Sequence, residues 1–169
     1  MNTKRLVLIS LFVALAMALN IFERAIYIPS HPGVKLGLAN VITLLSILLL
    51  GWKDAFYVVF IRCTLGALLF GNPISFLFSI TGGLLSALVM VLLWELLTKY
   101  VSIVNISMVG AVTHNIGQLL VASLIMQDFS VYTLLPILMI SALITGYVVG
   151  LITNHVYKSL VNRNITAYG

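Results

Sequence analysis

Arg62 is the residue that most constrains what this chain can do. From Ala55 to Gly71 every other residue except Cys63 and Thr64 is apolar, aromatic or glycine, so Arg62 stands inside a stretch that reads as lipid-buried helix. A charge at that depth costs about 2.5–3.5 kcal/mol on insertion scales, and residues placed there face a bundle interior or a water-filled cavity. Arg62 thus implies a polar cavity and an anionic partner. Its structural alternatives are pairing with a helix carboxylate, capping of backbone carbonyls, or snorkelling of the head group to the interface.

Other polar side chains fall in apolar stretches at comparable depth. His114 and Gln118 are four residues apart and share a helix face, with Asn115 turned away by one residue step. His114 has three readings: proton relay, ligand contact, or satisfied packing residue. Asn40, Asn72 and Ser75 lie toward one end of their predicted helices, and together with Arg62, His114, Asn115 and Gln118 they form the candidate substrate-binding set. An arginine supplies positive charge, and amides and imidazole supply directional hydrogen bonds. The single cysteine, Cys63, is read as a small packing residue, and it rules out a disulfide within the chain.

The elements that must hold these residues follow from composition. Of 169 residues, 62% are hydrophobic and only 8% charged, with a mean hydropathy of +1.17, whereas soluble domains are about 25% charged. The chain reads as an all-α, polytopic membrane protein in a single domain, 1–169. At about 20 residues per span, it has room for six transmembrane helices, placed at approximately 6–22, 36–50, 55–71, 74–97, 103–126 and 132–152. Prolines 29 and 32 and Gly33 break the helix pattern between Glu23 and Lys35, which reads as an ordered loop. Gly51-Trp52-Lys53-Asp54 reads as a tight interfacial turn. Gly146 and Gly150 form a close-packing pair, as do Ala14 and Ala18 in the first span. Ala14 to Ala18 also resembles the end of a signal peptide.

Six spans with both termini cytoplasmic place Lys4, Arg5, Lys53, Lys99, Lys158 and Arg163 inside and only Arg24 and Lys35 outside, which satisfies the positive-inside rule. The net charge of +5 is therefore assigned to topology, not to nucleic-acid binding. The acidic residues are Glu23, Asp54, Glu95 and Asp128, all at helix ends and none adjacent to another. Metal-assisted prenyl or phosphoryl transfer needs clustered carboxylates, and the chain offers none. It also has no phosphate-binding glycine loop and no nucleophile elbow. No enzymatic activity, cofactor or metal site is expected, which leaves a binding subunit whose partner supplies the work.

Several blocks carry a family resemblance: Ala39-Asn40-Val41-Ile42-Thr43, Gly51-Trp52-Lys53-Asp54-Ala55, Arg62, Leu69-Phe70-Gly71-Asn72-Pro73-Ile74-Ser75, Gly82-Gly83-Leu84-Leu85-Ser86, and Gly110-Ala111 with His114-Asn115-Ile116-Gly117-Gln118. In this order they resemble the Gx transporter family, also labelled heptaprenyl diphosphate synthase component I, over nearly the whole chain. The chain is further similar to the substrate-binding S components of energy-coupling factor (ECF) transporters. That similarity implies capture of an anionic or vitamin-like compound, flavin-like or a quinone precursor, from the outer side of the bacterial cytoplasmic membrane. It also implies docking on a coupling subunit and its ATPases through Ala14 and Ala18. A second class of function is a non-transporting membrane subunit of a redox or isoprenoid/quinone-related complex.

Overall fold

The computed structural model describes residues 3–25, 37–70 and 73–163. These form α1 (Thr3–Ala25), α2 (Leu38–Leu50), α3 (Trp52–Phe70), α4 (Pro73–Leu97), α5 (Ile103–Met126) and α6 (Leu135–Asn162), with a 3-10 turn, Phe129–Leu134, before the last. No strand occurs among the described residues. Four segments, Thr3–Glu23, Pro73–Leu97, Ile103–Met126 and Phe129–Asn162, are long and apolar enough to cross a membrane. The protein is a multi-pass, all-helical membrane protein. α2 has the same apolar character in only 13 residues, about 20 Å of helix, and α3 interrupts its apolar run with Lys53, Asp54 and Arg62.

α2 is apolar apart from Asn40, Thr43 and Ser46, and it is surrounded by protein. Val41 to Ile47 are all buried, and α2 packs against each of the other five helices. The remaining helices form an arc around it in the order α1, α3, α4, α5, α6, and α1 does not approach α6. Ile9, Val13 and Ala16 of α1, Val41, Ile42 and Leu45 of α2, Val58 of α3 and Val149 of α6 make one core cluster. Leu44 and Ile47 join Met90 and Ile106 in another. The hydroxyls in this core are satisfied by their own helices: Thr43 donates to the Ala39 carbonyl at 3.3 Å, Ser46 to Thr43 at 2.7 Å, and Thr153 to Val149 at 2.8 Å.

Helix boundaries differ from the sequence reading in several places: α1 extends three residues further at each end, Thr3–Ala25, and α3 and α6 are also shifted. α3 starts at Trp52 and not at Ala55, because only Gly51, at φ 85°, makes the turn; Asp54 then stabilises the first helical turn at its positive end. α6 begins after the 3-10 turn and continues to Asn162, ten residues beyond the expected end. Val156 and Tyr157 explain the extension, since they continue the helix's apolar face onto the first core cluster. Asp128 caps the 3-10 turn by accepting from the Ser130 hydroxyl at 2.6 Å and amide at 2.8 Å. These bonds hold its carboxyl below the ordinary range.

Glycines set the α5–α6 contact. A Cβ on Gly146 would lie 2.7 Å from the Met108 Cα, and one on Gly150 would lie 2.7 Å from the Val104 Cα, so the two backbones touch as the sequence pair implied. Far from this seam, Arg5 of α1 clamps the start of α3: its Nε donates to both Asp54 oxygens at 2.8 and 2.7 Å. The Asp54 side chain is fully buried, and that of Arg5 is 37% exposed.

Two measurements check this packing. Gly146→Ala should lower the thermal midpoint in detergent by the equivalent of about 1–3 kcal/mol through overpacking, while Gly66→Ala, where the added methyl meets nothing within 4 Å, should leave it unchanged or slightly raised. In the ion pair, Arg5→Gln should cost more than Asp54→Asn, about 2–3 against about 1 kcal/mol. The first change strands a carboxylate in a buried position, and the second leaves an arginine that already reaches solvent. Equal losses for the two would contradict the assigned burial.

Candidate functional site

Arg62 points from α3 into a cavity at the end of the bundle where α1 finishes and α2 begins. α1 contributes Asn20 and Glu23 to the lining, α2 contributes Gly37 and Asn40, and α4 contributes Ser79. The lining is completed by His114, Asn115 and Gln118 of α5 and by Ser141 and Thr145 of α6, with Met90, Ser107 and Gly110 at its deep end. Its free volume is about 80 Å³. At about 10–15 Å³ per water on this measure, it holds roughly six waters, the displacement of a small polar ligand.

Each wall has a local cause. Gly83 of α4 leaves room for the guanidinium, since a Cβ there would sit 3.4 Å from Arg62 Nη2 and 3.1 Å from Val59 Cγ1. Gly82 does the same for α5: a Cβ would lie 2.9 Å from the His114 carbonyl oxygen, 3.1 Å from its Cε1 and 3.2 Å from Gln118 Cγ. Opposite it, a Cβ on Gly117 would meet the Gly82 Cα at 2.8 Å, so α4 and α5 cross in backbone contact where they present His114 and Gln118. Asn115 is fixed by donating from Nδ2 to the Leu138 carbonyl at 3.0 Å, which ties α5 to α6. At the mouth, Gly37 takes a left-handed conformation, φ 71°, which glycine adopts without steric cost. Its amide donates to Glu23 Oε1 at 2.7 Å. The carboxylate thus sits at the positive end of α2.

The electrostatic centre is Arg62, 9% exposed. Its Nη2 lies 3.5 Å from Asn40 Oδ1, a long contact, and its buried Nε has no hydrogen-bond partner. Arg5–Asp54 is the ion pair among the described residues, and no carboxylate there pairs with Arg62. A buried cation with so few acceptors is unusual, because buried charges are normally paired or fully hydrogen-bonded. Neither carboxylate pairing nor snorkelling accounts for it.

Of the candidate residues read from sequence, Arg62, His114, Gln118, Asn40 and Asn115 line the cavity. Asn115 does so despite its offset from the His114 face, because its amide turns toward α6. Ser75 is exposed in the first turn of α4, outside the lining, and Ser79, one turn deeper, is on the wall. Asn72 and residues 26–36, which include most of the expected loop over the site, lie outside the described residues. Ala14 and Ala18 are exposed on the side of α1 that faces away from the bundle. Cys63 packs against Val59 and Ala87 and donates from Sγ to the Ser79 carbonyl at 3.3 Å, as a packing residue should. Asn20, Glu23, Ser141 and Thr145 were missed. The signal was present in the i, i+3 spacing of Asn20 with Glu23 and the i, i+4 spacing of Ser141 with Thr145.

No group of three or more His, Cys, Asp or Glu side chains able to hold a metal occurs among the described residues. A family model described as heptaprenyl diphosphate synthase component I matches residues 12–156. No curated protein and no solved structure matches the chain.

If Arg62 is held for a ligand and not for the fold, Arg62→Met should leave the ligand-free thermal midpoint unchanged or raise it by the equivalent of up to about 2 kcal/mol, since replacing a poorly paired buried charge with an apolar group of similar length is neutral or stabilising. A fall in the midpoint on differential scanning fluorimetry would make Arg62 a structural residue.

Proposed function

We propose that this chain, which belongs to the heptaprenyl diphosphate synthase component I family, is the substrate-binding membrane subunit of an ECF-type transporter, and that it captures a small molecule carrying an acidic group. The observation that carries this reading is the buried, nearly unpartnered guanidinium of Arg62 lining a polar cavity. An anionic group seated there would complete the hydrogen bonding of Arg62, with Asn40, His114 and Gln118 within the same lining to fix its orientation. The cavity adjoins the end of α1 and the start of α2. With six spans and both termini cytoplasmic, as the charge distribution favours, that end faces outward, which places the cavity on the outer side.

The chain has no machinery for energy conversion, so transport would require a coupling subunit and ATPases. The outward face of α1, with Ala14 and Ala18 exposed four residues apart, suits close approach of a partner helix. On this reading the protein resides in a bacterial plasma membrane and binds without catalysing a reaction.

The family description favours one other reading, an accessory membrane component of prenyl diphosphate synthesis. The carboxylates speak for an accessory role at most: Asp54 is committed to Arg5, Glu95 and Asp128 are exposed, and Glu23 caps α2.

Native mass spectrometry of the detergent-purified chain beside an Arg62→Gln variant tests the proposal. The expected result is a co-purified acidic small molecule on the wild type that is reduced or lost in the variant, matching a weakening of roughly ten- to a hundredfold for loss of a hydrogen-bonded charge. Retention of the same molecule at equal occupancy in Arg62→Gln would overturn the assignment of the site. Specific co-purification with a prenyl transferase subunit and no small molecule would favour the accessory reading.

A further inference from the structure

We infer that the ligand is dipolar: besides the acidic group on Arg62 it carries an ammonium or other strong donor group that meets Glu23. This rests on the proposed capture function and goes beyond it by naming the second charge. Glu23 and Arg62 line the same cavity but form no ion pair with each other. Glu23 spends one oxygen on the Gly37 amide, and no other bond to its carboxylate occurs among the described residues. Arg62, 9% exposed, has Nε unpartnered and only the long contact to Asn40. Two opposite charges that stay apart across a cavity each leave bonding capacity for something placed between them.

The register of α2 sets the scale of that ligand. Glu23 is bonded at Gly37, and Arg62 meets Asn40. The two positions are three residues apart, about 4.5 Å along the helix axis. A free volume of about 80 Å³ admits a compound the size of a short amino acid and excludes a bulky one unless the walls move. A plain anion would gain Arg62 but meet repulsion from Glu23, whereas a dipolar molecule is attracted at both ends. The pair therefore selects against simple carboxylates as well as for its ligand. The neutral side chains around them, Asn115, Gln118 and Ser141 among them, leave that balance unchanged.

The test compares ω-amino acids of increasing length, from β-alanine to ε-aminocaproate, with the unsubstituted carboxylates of the same chain length, as protectants of the full chain in detergent against thermal unfolding. In the wild type at least one amino acid should protect at roughly tenfold lower concentration than its matched carboxylate, the effect of one added charge-assisted bond. Glu23→Gln should abolish the preference; the glutamine carbonyl still accepts from the Gly37 amide, so the variant keeps that bond and loses only the charge at the positive end of α2. Arg62→Gln should remove protection by both probe series. Equal or better protection by the carboxylates, lost in Arg62→Gln, overturns the dipolar inference and leaves acidic-ligand capture standing. A preference that survives in Glu23→Gln also overturns it. Protection by neither series at any length overturns both readings. The wild-type comparison decides the inference even if Glu23→Gln fails to fold.

Discussion

The burial of α2 is the constraint on which the rest of the structure depends. The other five helices form an arc around it and bury Val41 to Ile47 against protein. Because α2 has only 13 residues, about 20 Å, it cannot fill the depth of a bilayer whose hydrocarbon core is about 30 Å thick. At one end it turns directly into α3 through Gly51. At the other it stops at Gly37, and the longer helices around it continue past its end. The cavity opens beside this end of α2, where Gly37, Ala39 and Asn40 line it, and reaches down to Met90, Ser107 and Gly110.

The buried charges divide according to how completely they are satisfied. Asp54 is fully enclosed and accepts both Nε bonds of Arg5, so its charge fixes α1 against α3. Arg62, on the same helix, has one long contact and an unpartnered Nε. Desolvating an arginine costs several kcal/mol unless its hydrogen bonds are restored, and the fold restores few of them. A cost of that kind persists where water or a ligand completes the shell. Neutral groups are satisfied more easily: Thr43 and Thr153 turn their hydroxyls back onto their own helices, and on the cavity wall Thr145 does the same while Asn115 bonds the Leu138 carbonyl.

What could be read from sequence followed the rarity of each residue type in an apolar helix. Arg62, His114, Gln118, Asn40 and Asn115 are costly in a membrane helix, and all five line the cavity. The helical, apolar character of the fold was equally legible from composition. Serine and threonine carry little information of this kind because their own helix can satisfy them, as Thr145 is by the Ala142 carbonyl at 3.3 Å. Ser75 and Ser79 could not be told apart without the rotation of α4 about its axis. Ser141 and Thr145 required the knowledge that α6 stands beside α5. Glu23, at a helix end, reads as an interfacial charge until Gly37 is seen to fold back onto it. The central position of α2 was hidden for a different reason: an apolar run of that length gives no sign of whether lipid or protein surrounds it.

The walls of the cavity are not held with equal firmness. α4, α5 and α6 are joined by backbone-to-backbone crossings at Gly82, Gly117, Gly146 and Gly150, and close-packed surfaces of this kind resist gradual deformation. α1 touches α2 and α3 but not α6. Among its polar attachments are the Arg5–Asp54 pair near one end and the Glu23–Gly37 bond at the other. α1 also carries Asn20 and Glu23 on the cavity side and Ala14 and Ala18 on the outer side. On the proposed function, the helix least firmly packed against its neighbours is thus the one placed between ligand and partner. A shift of α1 on docking would break the Glu23–Gly37 bond and move a charged wall of the site while the α4–α5–α6 wall stays in place. The position of α1 in the arc therefore supplies a physical route by which partner binding and ligand release can be coupled without rearranging the core.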